Sequence, residues 1–358
     1  MGKTVKEVGA MERKKVCLIG HFGFGKELLN GQTVKTRILS DTLDGILGSS
    51  QVMKIDTHGG AKALLKLPFQ TFSAMRKCDN VVILPAHRGL RVETPLLSFW
   101  RIFFKRRLHY AVIGGWLASF LDGKKSLERQ LKKFTGIYVE TYSMQKDLEA
   151  KGFSNVTVMP NCKDLSILSP DALVMPEKPY KLCTFSRVMK EKGIEDAVDA
   201  VKAANEALGQ NVYALDIYGQ IDGNQVEWFE QLQKTFPQFV RYGGLVPYDK
   251  SVEVLKDYFA LLFPTYYHGE GFAGTLLDAM ASGVPVIASD WKYNTELVKE
   301  GQTGLLFPAK DVEALTKILC DAASDSAKWN AMRTSCLEEA HRYQPVEVIN
   351  ALLERIEA

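Results

Sequence analysis

The sequence predicts an α/β protein made of two doubly wound units in succession, and three observations lead there. Short apolar runs closed by glycine or proline alternate with longer amphipathic stretches, the pattern of buried parallel strands and their covering helices. The alternation pauses at residues 166–180, which carry Pro170, Pro176 and Pro179, and then begins again. Near the end of the second series, FPTYYHGEGFAGTLLDAMASGVPVIASD (Phe263 to Asp290) reads as buried strand, loop, helix and buried strand, a βαβ unit. A chain of 358 residues has room for two domains. The expected division is 1–165, a linker 166–180 and 181–344, with 345–358 as a closing helix.

In the first unit, KVCLIG (Lys15 to Gly20) is an apolar run ending in glycine, expected as the first strand, and the loop after it leads to a helix from near Thr33. Gly20 to Lys26 fits G-x-x-x-x-G-K, the opening of a phosphate-binding loop. Glu27 follows where Ser or Thr would hold magnesium, which speaks against a nucleoside triphosphatase. Strands are expected at Gln51–Asp56 and Asn80–Leu84, with a basic amphipathic helix, Ala61–Arg76, between them. His87 then stands at a strand's C-terminal end, where open α/β sheets place ligands, and is open to a structural or a donor-binding role. PLLSFWRIFFKRR (Pro95 to Arg107) reads as an aromatic, basic helix and HYAVIGG (His109 to Gly115) as a strand. A strand at Gly136–Glu140, a helix at Ser143–Lys151 capped by Gly152, and NVTVMP (Asn155 to Pro160) complete the unit.

The second unit opens with a strand, Lys181–Ser186, whose end yields Arg187 and then Lys192-Gly193 ahead of a helix, Glu195–Leu208. That spacing sets two cations at the mouth of a sheet. Strands follow at Tyr213–Gly219 and Val240–Val246. In the unit at Phe263–Asp290, Gly271, Phe272, Ala273 and Gly274 offer backbone N–H groups at the positive end of a helix dipole, an anion site. Glu270 lies between two glycines, and Asp278 lies one turn deeper, about 6 Å along the axis from Gly274. Two carboxylates and an anion-binding helix end lining one crevice suit a ligand with a phosphate and several hydroxyls, such as a nucleotide sugar. GQTGLLF (Gly301 to Phe307) is a turn and short strand, Asp311 caps a helix, and Gln344-Pro345 breaks the helical tail.

The order of Glu270, Gly271-Phe272, five further residues, Asp278 and then Ala-Met-Ala-x-Gly-x-Pro-Val-Ile resembles the C-terminal signature of the retaining GT-B glycosyltransferases of family 4 (glycosyl transferases group 1), like those of bacterial surface-polysaccharide synthesis. Arg187 and Lys192-Gly193 match that family's diphosphate-binding pair. The resemblance implies the GT-B fold: two Rossmann-like domains facing a central cleft, the first toward the acceptor, the second holding the donor, and the last helix packed back on the first. It implies retaining transfer of a hexose from a UDP-, GDP- or ADP-sugar to a saccharide or lipid-linked acceptor. Arg187 and Lys192 would then neutralise the leaving diphosphate, Glu270 would position donor hydroxyls, and Asp278 would hold the ribose, where the family usually has Glu. The family's Gly-Gly pair after the first strand corresponds to Asn30-Gly31, which gives a donor-facing role to Gly31. Its sugar-contacting His-Gly corresponds to Gly114-Gly115, which leaves His87 or His268 as the histidine candidates. Its Pro-Asn-Gly-Val-Asp reads Pro160-Asn161-Cys162-Lys163-Asp164 here. No cofactor and no metal are expected, since no D-x-D motif stands in a ligand position. A GT-B nucleotide-sugar epimerase and a non-catalytic partner subunit of another glycosyltransferase stay as alternatives.

Composition is that of an ordinary core-forming protein, 46% apolar and 24% charged. The most apolar run, Tyr110 to Leu121, is too short to span a bilayer, and the opening MGKTVKEVGAMERKK lacks a hydrophobic signal region and is expected as a solvated tail. Six cysteines without C-x-x-C spacing point to free thiols in a reducing cytoplasm. Charge is unevenly divided. Residues 1–165 hold 27 Lys and Arg against 14 Asp and Glu (+13), the rest 18 against 28 (−10), together the net +3. The basic half, with Trp100, Arg101, Phe103, Phe104, Lys105, Arg106 and Arg107, suggests an anionic membrane surface as a further partner, hence peripheral attachment at the membrane's inner face. No nucleic acid is expected.

Overall fold

The computed structural model describes residues 13–26 and 31–358. The opening tail and Asn30 lie outside them. Each half of the chain forms one six-stranded parallel sheet. The first contains β1 (Lys14–Gly20), β2 (Val52–Asp56), β3 (Cys78–Ile83), β4 (Arg107–Ala111), β5 (Gly136–Val139) and β6 (Val156–Val158), in the order β2-β1-β3-β4-β5-β6. The second contains β7 (Tyr180–Phe185), β8 (Tyr213–Tyr218), β9 (Val240–Gly244), β10 (Ala260–Phe263), β11 (Val286–Ser289) and β12 (Gly304–Phe307), in the order β12-β11-β10-β7-β8-β9. Helices cover both faces of such sheets, so their strands carry near-continuous apolar runs; β10 and β11 are buried at every position. Together the halves make the GT-B arrangement of two Rossmann-like domains.

Both orders reverse direction once, and that reversal decides where ligands fit. In the first sheet the chain passes from β1 to β2 on one side and then from β3 outward on the other. In the second it passes from β7 to β9 and then returns to β10 beside β7. Loops leaving the C-terminal ends at each reversal diverge to opposite faces and open a crevice.

The chain crosses back at its end. The helix Asn350–Glu357 lies against the first sheet, where Val348, Ile349, Leu352, Leu353 and Ile356 join a cluster with Val16, Leu18, Leu43, Val82 and Tyr138. Asn80 Nδ2 donates to the Ile356 carbonyl at 3.1 Å, and Arg355 Nη1 to the Thr135 carbonyl at 2.8 Å.

Two expectations need correction. Pro95–Arg107 is not a helix: the helix runs His87–Trp100, with Pro95 inside it, and the chain then turns to enter β4 at Arg107. A proline often marks a helix's first turn, but here residues 87–94 already form helix and Leu90 and Leu97 bury one stripe. The strand expected at His109–Gly115 ends at Ala111, before Gly114, whose φ of 80° breaks the extended run. Short helices at Leu117–Phe120, Lys125–Leu131 and Val226–Gln233 went unread, because each is too short for its periodicity to register. The six cysteines are free thiols, five of them buried.

Leu352 has no exposed surface. Leu352→Ala should therefore cost about 2–5 kcal/mol in urea unfolding. A loss below about 0.5 kcal/mol would mean that the closing helix does not hold the first domain.

Candidate active site

The candidate site forms where the second sheet reverses. The loop after β7 carries Arg187 and Lys192; the loop after β10 carries Thr265, Tyr267 and Glu270 and ends in the helix Gly274–Ala281. Gly193, at φ 70°, turns the first loop tightly against the second, and a Cβ there would lie 2.1 Å from the Pro264 carbonyl oxygen. Only glycine allows that approach.

The two loops are tied through one ion pair. Lys192 Nζ reaches both oxygens of Glu270, at 2.8 and 2.6 Å, and Thr265 Oγ1 donates to Oε2 at 2.7 Å. Glu270 is 8% exposed, so its charge is held by these partners and little by water. Ser289 at the end of β11 donates to the Thr265 carbonyl at 2.6 Å, which links a third strand to the carboxylate. The pair lines a cavity of about 240 Å³ with Arg187, Phe185, Phe263, Tyr267, Ala273, Gly274 and Thr275. Arg187 is exposed at the mouth, 3.5 Å from Asp222. Gly274 opens the helix, and a Cβ on it would meet nothing within 4 Å, which leaves the first helical amides open to a ligand. Thr275 Oγ1 is buried with no hydrogen-bond partner among the described residues. Two cations, a helix start and an unpaired hydroxyl converge here, as phosphate binding requires.

Residues 168–341 match a family model described as Glycosyl transferases group 1. That segment is similar to a group 1 glycosyltransferase domain. Among curated proteins it is similar to the GtfA subunit of a UDP-N-acetylglucosamine–peptide N-acetylglucosaminyltransferase of Streptococcus parasanguinis, 31% identical over 47% of this chain and 33% of the relative. The putative colanic acid biosynthesis glycosyltransferase WcaL of Escherichia coli is 26% identical over 44% of this chain and 39% of the relative. The matched stretches thus span well under half the length of these relatives. Similarity of fold extends further. HepE of Anabaena, crystallised with UDP, superposes with a TM-score of 0.72 at 14% identity, over 96% of this chain and 100% of that one. The lipopolysaccharide outer core galactosyltransferase WaaB gives 0.69 at 17% identity, over 96% and 99%.

Within the matched segment, Asp278 does not share the lining that holds Glu270. It is 5% exposed, one turn below Gly274, where Lys163 Nζ meets Oδ1 at 2.6 Å and Ser251 Oγ donates to it at 2.8 Å. Burial pushes its pKa upward, while Lys163 and Ser251 pull it down. Lys163 comes from the segment that leaves the first domain, so this pair joins the two halves. Gly271, expected to offer its N–H at the helix start, also lets the other domain come close: a Cβ on it would lie 3.1 Å from the Gly114 Cα and 3.5 Å from Glu140 Oε2. Phe272 and Ala273 are mostly buried; Phe272 packs on Tyr343.

The place of the histidine is taken by Gly114, whose φ of 80° is strained for any residue with a Cβ. The glycine after it is held by crowding: a Cβ on Gly115 would lie 2.3 Å from the Tyr293 hydroxyl. Neither substitute candidate reaches the cavity lining. His87 stacks on Trp116 at 3.9 Å, its pKa lowered by burial and then by Arg91, and His268 packs edge-on against Trp291. Gly31 starts the helix Gly31–Leu47, exposed, with open space where a Cβ would stand. Sequence reasoning missed Thr265 and Thr275, and it missed Lys35 and Glu140, a buried pair at 2.5 Å in which Glu140 also accepts from the Gly114 N–H at 3.2 Å. Glu140 follows the C-terminal end of β5, the signal that could have raised it.

Lys163→Ala should strand the Asp278 carboxylate and cost about 3–5 kcal/mol in chemical denaturation. Adding Asp278→Asn should recover much of that loss; no recovery would show that Lys163 acts through other contacts.

Proposed function

We propose that this chain is a retaining glycosyltransferase of the family 4 type, which moves a hexose from a nucleotide sugar to a saccharide or lipid-linked acceptor in cell-surface polysaccharide synthesis. One observation carries the reading: within the segment similar to the group 1 family, Lys192, Glu270 and Arg187 line one cavity at the start of the helix Gly274–Ala281. UDP is the proposed nucleotide, since the GtfA relatives are named for a UDP-sugar and the HepE structures hold UDP or UDP-glucose.

In this reading the donor diphosphate lies against the helix start, with Arg187 and Lys192 beside it. Negative charge grows on the leaving diphosphate as the sugar departs, so preorganised cations there lower the barrier more than they tighten ground-state binding. Glu270 orients the sugar. A carboxylate offers about four acceptor positions, of which Lys192 and Thr265 use three, leaving room for a hydroxyl. Asp278, steadied by Lys163 and Ser251, holds the ribose. These roles need neither a cofactor nor a metal. An epimerase would require a second acid across the sugar. Glu140, the acid of the first domain that lies near Gly271, is already engaged by Lys35 and the Gly114 amide.

Membrane attachment is a second part of the proposal, argued from other side chains than the Trp100–Arg107 cluster as a whole. Trp100 and Phe104 pack against the core, and Arg106 is engaged with Asp79 and the Met75 carbonyl. Leu65, Phe69, Ile102 and Phe103 are exposed instead, between 65% and 79%. Among the described residues no helix is long and apolar enough to cross a membrane. This ridge would rest in an anionic headgroup layer. Co-sedimentation with anionic vesicles should disappear when Leu65, Phe69 and Phe103 are changed to Ser; failure of the native protein to sediment at low salt would remove the membrane partner.

The direct test is incubation of the purified chain with UDP-sugars and saccharide acceptors, with the product's anomeric configuration read by NMR. Inversion would refute the retaining reading, and free-sugar epimers without acceptor would favour the epimerase. Arg187→Ala and Lys192→Ala should each lower kcat about a hundredfold, on the order of 3 kcal/mol, with a smaller change in donor Kd. Asp278→Asn should chiefly raise the donor KM. Weaker binding at unchanged kcat in the Arg187 variant would end the leaving-group role.

A further inference from the structure

The first sheet has its own reversal, between β1 and β3, and a second cavity lies there. Its volume is about 380 Å³, and its walls are Ala63, Leu64 and Leu67 from the helix Ala61–Lys77, Pro85 and Ala86 after β3, and Gly89 in the helix His87–Trp100. Gln32, Thr57, Gly60, Arg88 and Glu93 complete the lining. That volume falls within the range of small-molecule sites.

One group inside it is unexplained by folding. Glu93 is 2% exposed, and its Oε2 has no hydrogen-bond partner among the described residues. A buried polar atom without a partner costs stability, so it persists where something else uses it. Room is kept for this carboxyl one turn earlier: a Cβ on Gly89 would lie 2.9 Å from Pro85 Cβ and 3.0 Å from Glu93 Oε1. Burial pushes the Glu93 pKa up to about 8, so near neutrality the group is a carboxylic acid, a hydrogen-bond donor in an apolar pocket. Arg88, at the exposed rim, is the other charged group of the lining, and Tyr110 of β4 is the titratable neighbour behind it.

We propose that this cavity binds an acyl group on the acceptor, with its carbonyl oxygen accepting from the Glu93 hydroxyl and its alkyl carbons against Ala63, Leu67 and Pro85. Calling the occupant an acceptor rests on the transferase reading; the binding itself does not. The acyl group is carried either by an amino sugar or by a glycerol ester, two sources of the same chemistry.

The test is calorimetric titration of the full chain, without donor, with methyl glycosides of N-acetyl-, N-butanoyl- and N-hexanoylglucosamine, with 1-hexanoylglycerol, and with methyl glucoside as the unacylated control. Affinity should rise about fourfold per added methylene, the weight of one buried methylene. Whichever hexanoyl carrier binds more tightly identifies the source. Ala63→Phe should fill the pocket and abolish acyl binding while leaving the thermal shift given by UDP unchanged. Glu93→Leu should erase the preference for acylated over unacylated probes. Above about pH 8 the native affinity should fall by up to tenfold per unit as the donor proton is lost, whereas Glu93→Gln, which keeps a donor, should be flat across that range. Equal binding of acylated and unacylated probes, or acyl binding untouched by Ala63→Phe, overturns the proposal. Loss of the UDP shift in the native protein would instead count against the transferase reading alone.

Discussion

The contact between Lys192 and Glu270 fixes the geometry of the cavity at the reversal of the second sheet. It joins loops from two strands that are neighbours in the sheet but 78 residues apart in the chain. A buried carboxylate without its cation would be strongly destabilising, so each loop is held in place by the other's charge. Thr265 and Ser289 extend the grip to β11, and Gly193 sets how near the loops can come. The direction of the helix start, and hence where an anion can sit, follows from that arrangement.

The uneven charge of the chain finds a use between the domains. A cation of the basic half, Lys163, meets an acid of the acidic half, Asp278. Glu296 of the second half accepts from the Tyr142 and Ser143 amides, at 2.6 and 2.9 Å, at the start of a helix in the first. Carboxylates favour such helix starts. Between these polar clasps, Gly271 and Gly114 bring backbone against backbone. Complementary charge therefore aligns the halves where side chains are too large to fit.

Alternation of apolar runs with glycine and proline made the strands legible, because parallel strands are buried on both faces and announce themselves without periodicity. Asp311 capping its helix and Gly152 closing another were equally readable, since one residue's chemistry decides each. Glu270, Lys192 and Arg187 were found through spacing at strand ends, and all three line one cavity. Their mutual pairing was invisible, since it depends on strand order. For the same reason Asp278 was placed beside Glu270 on helical phase alone, whereas Lys163, 115 residues away, claims it. The aromatic stretch near Trp100 was read as one surface, but composition does not tell which ring turns inward. Phe103 faces out and Trp100 packs in.

The closing helix changes more than the packing of the first domain. Because the chain leaves that domain near Leu165 and returns at Pro345, two covalent segments cross between the halves, and Gln344 Nε2 donates to the Leu165 carbonyl at 3.0 Å where they run side by side. A single tether leaves the relative orientation of two bodies to their surface contacts; two tethers bonded to each other restrict it through the chain itself. The orientation of one sheet against the other is thus held by covalent geometry as well as by the side chains between them.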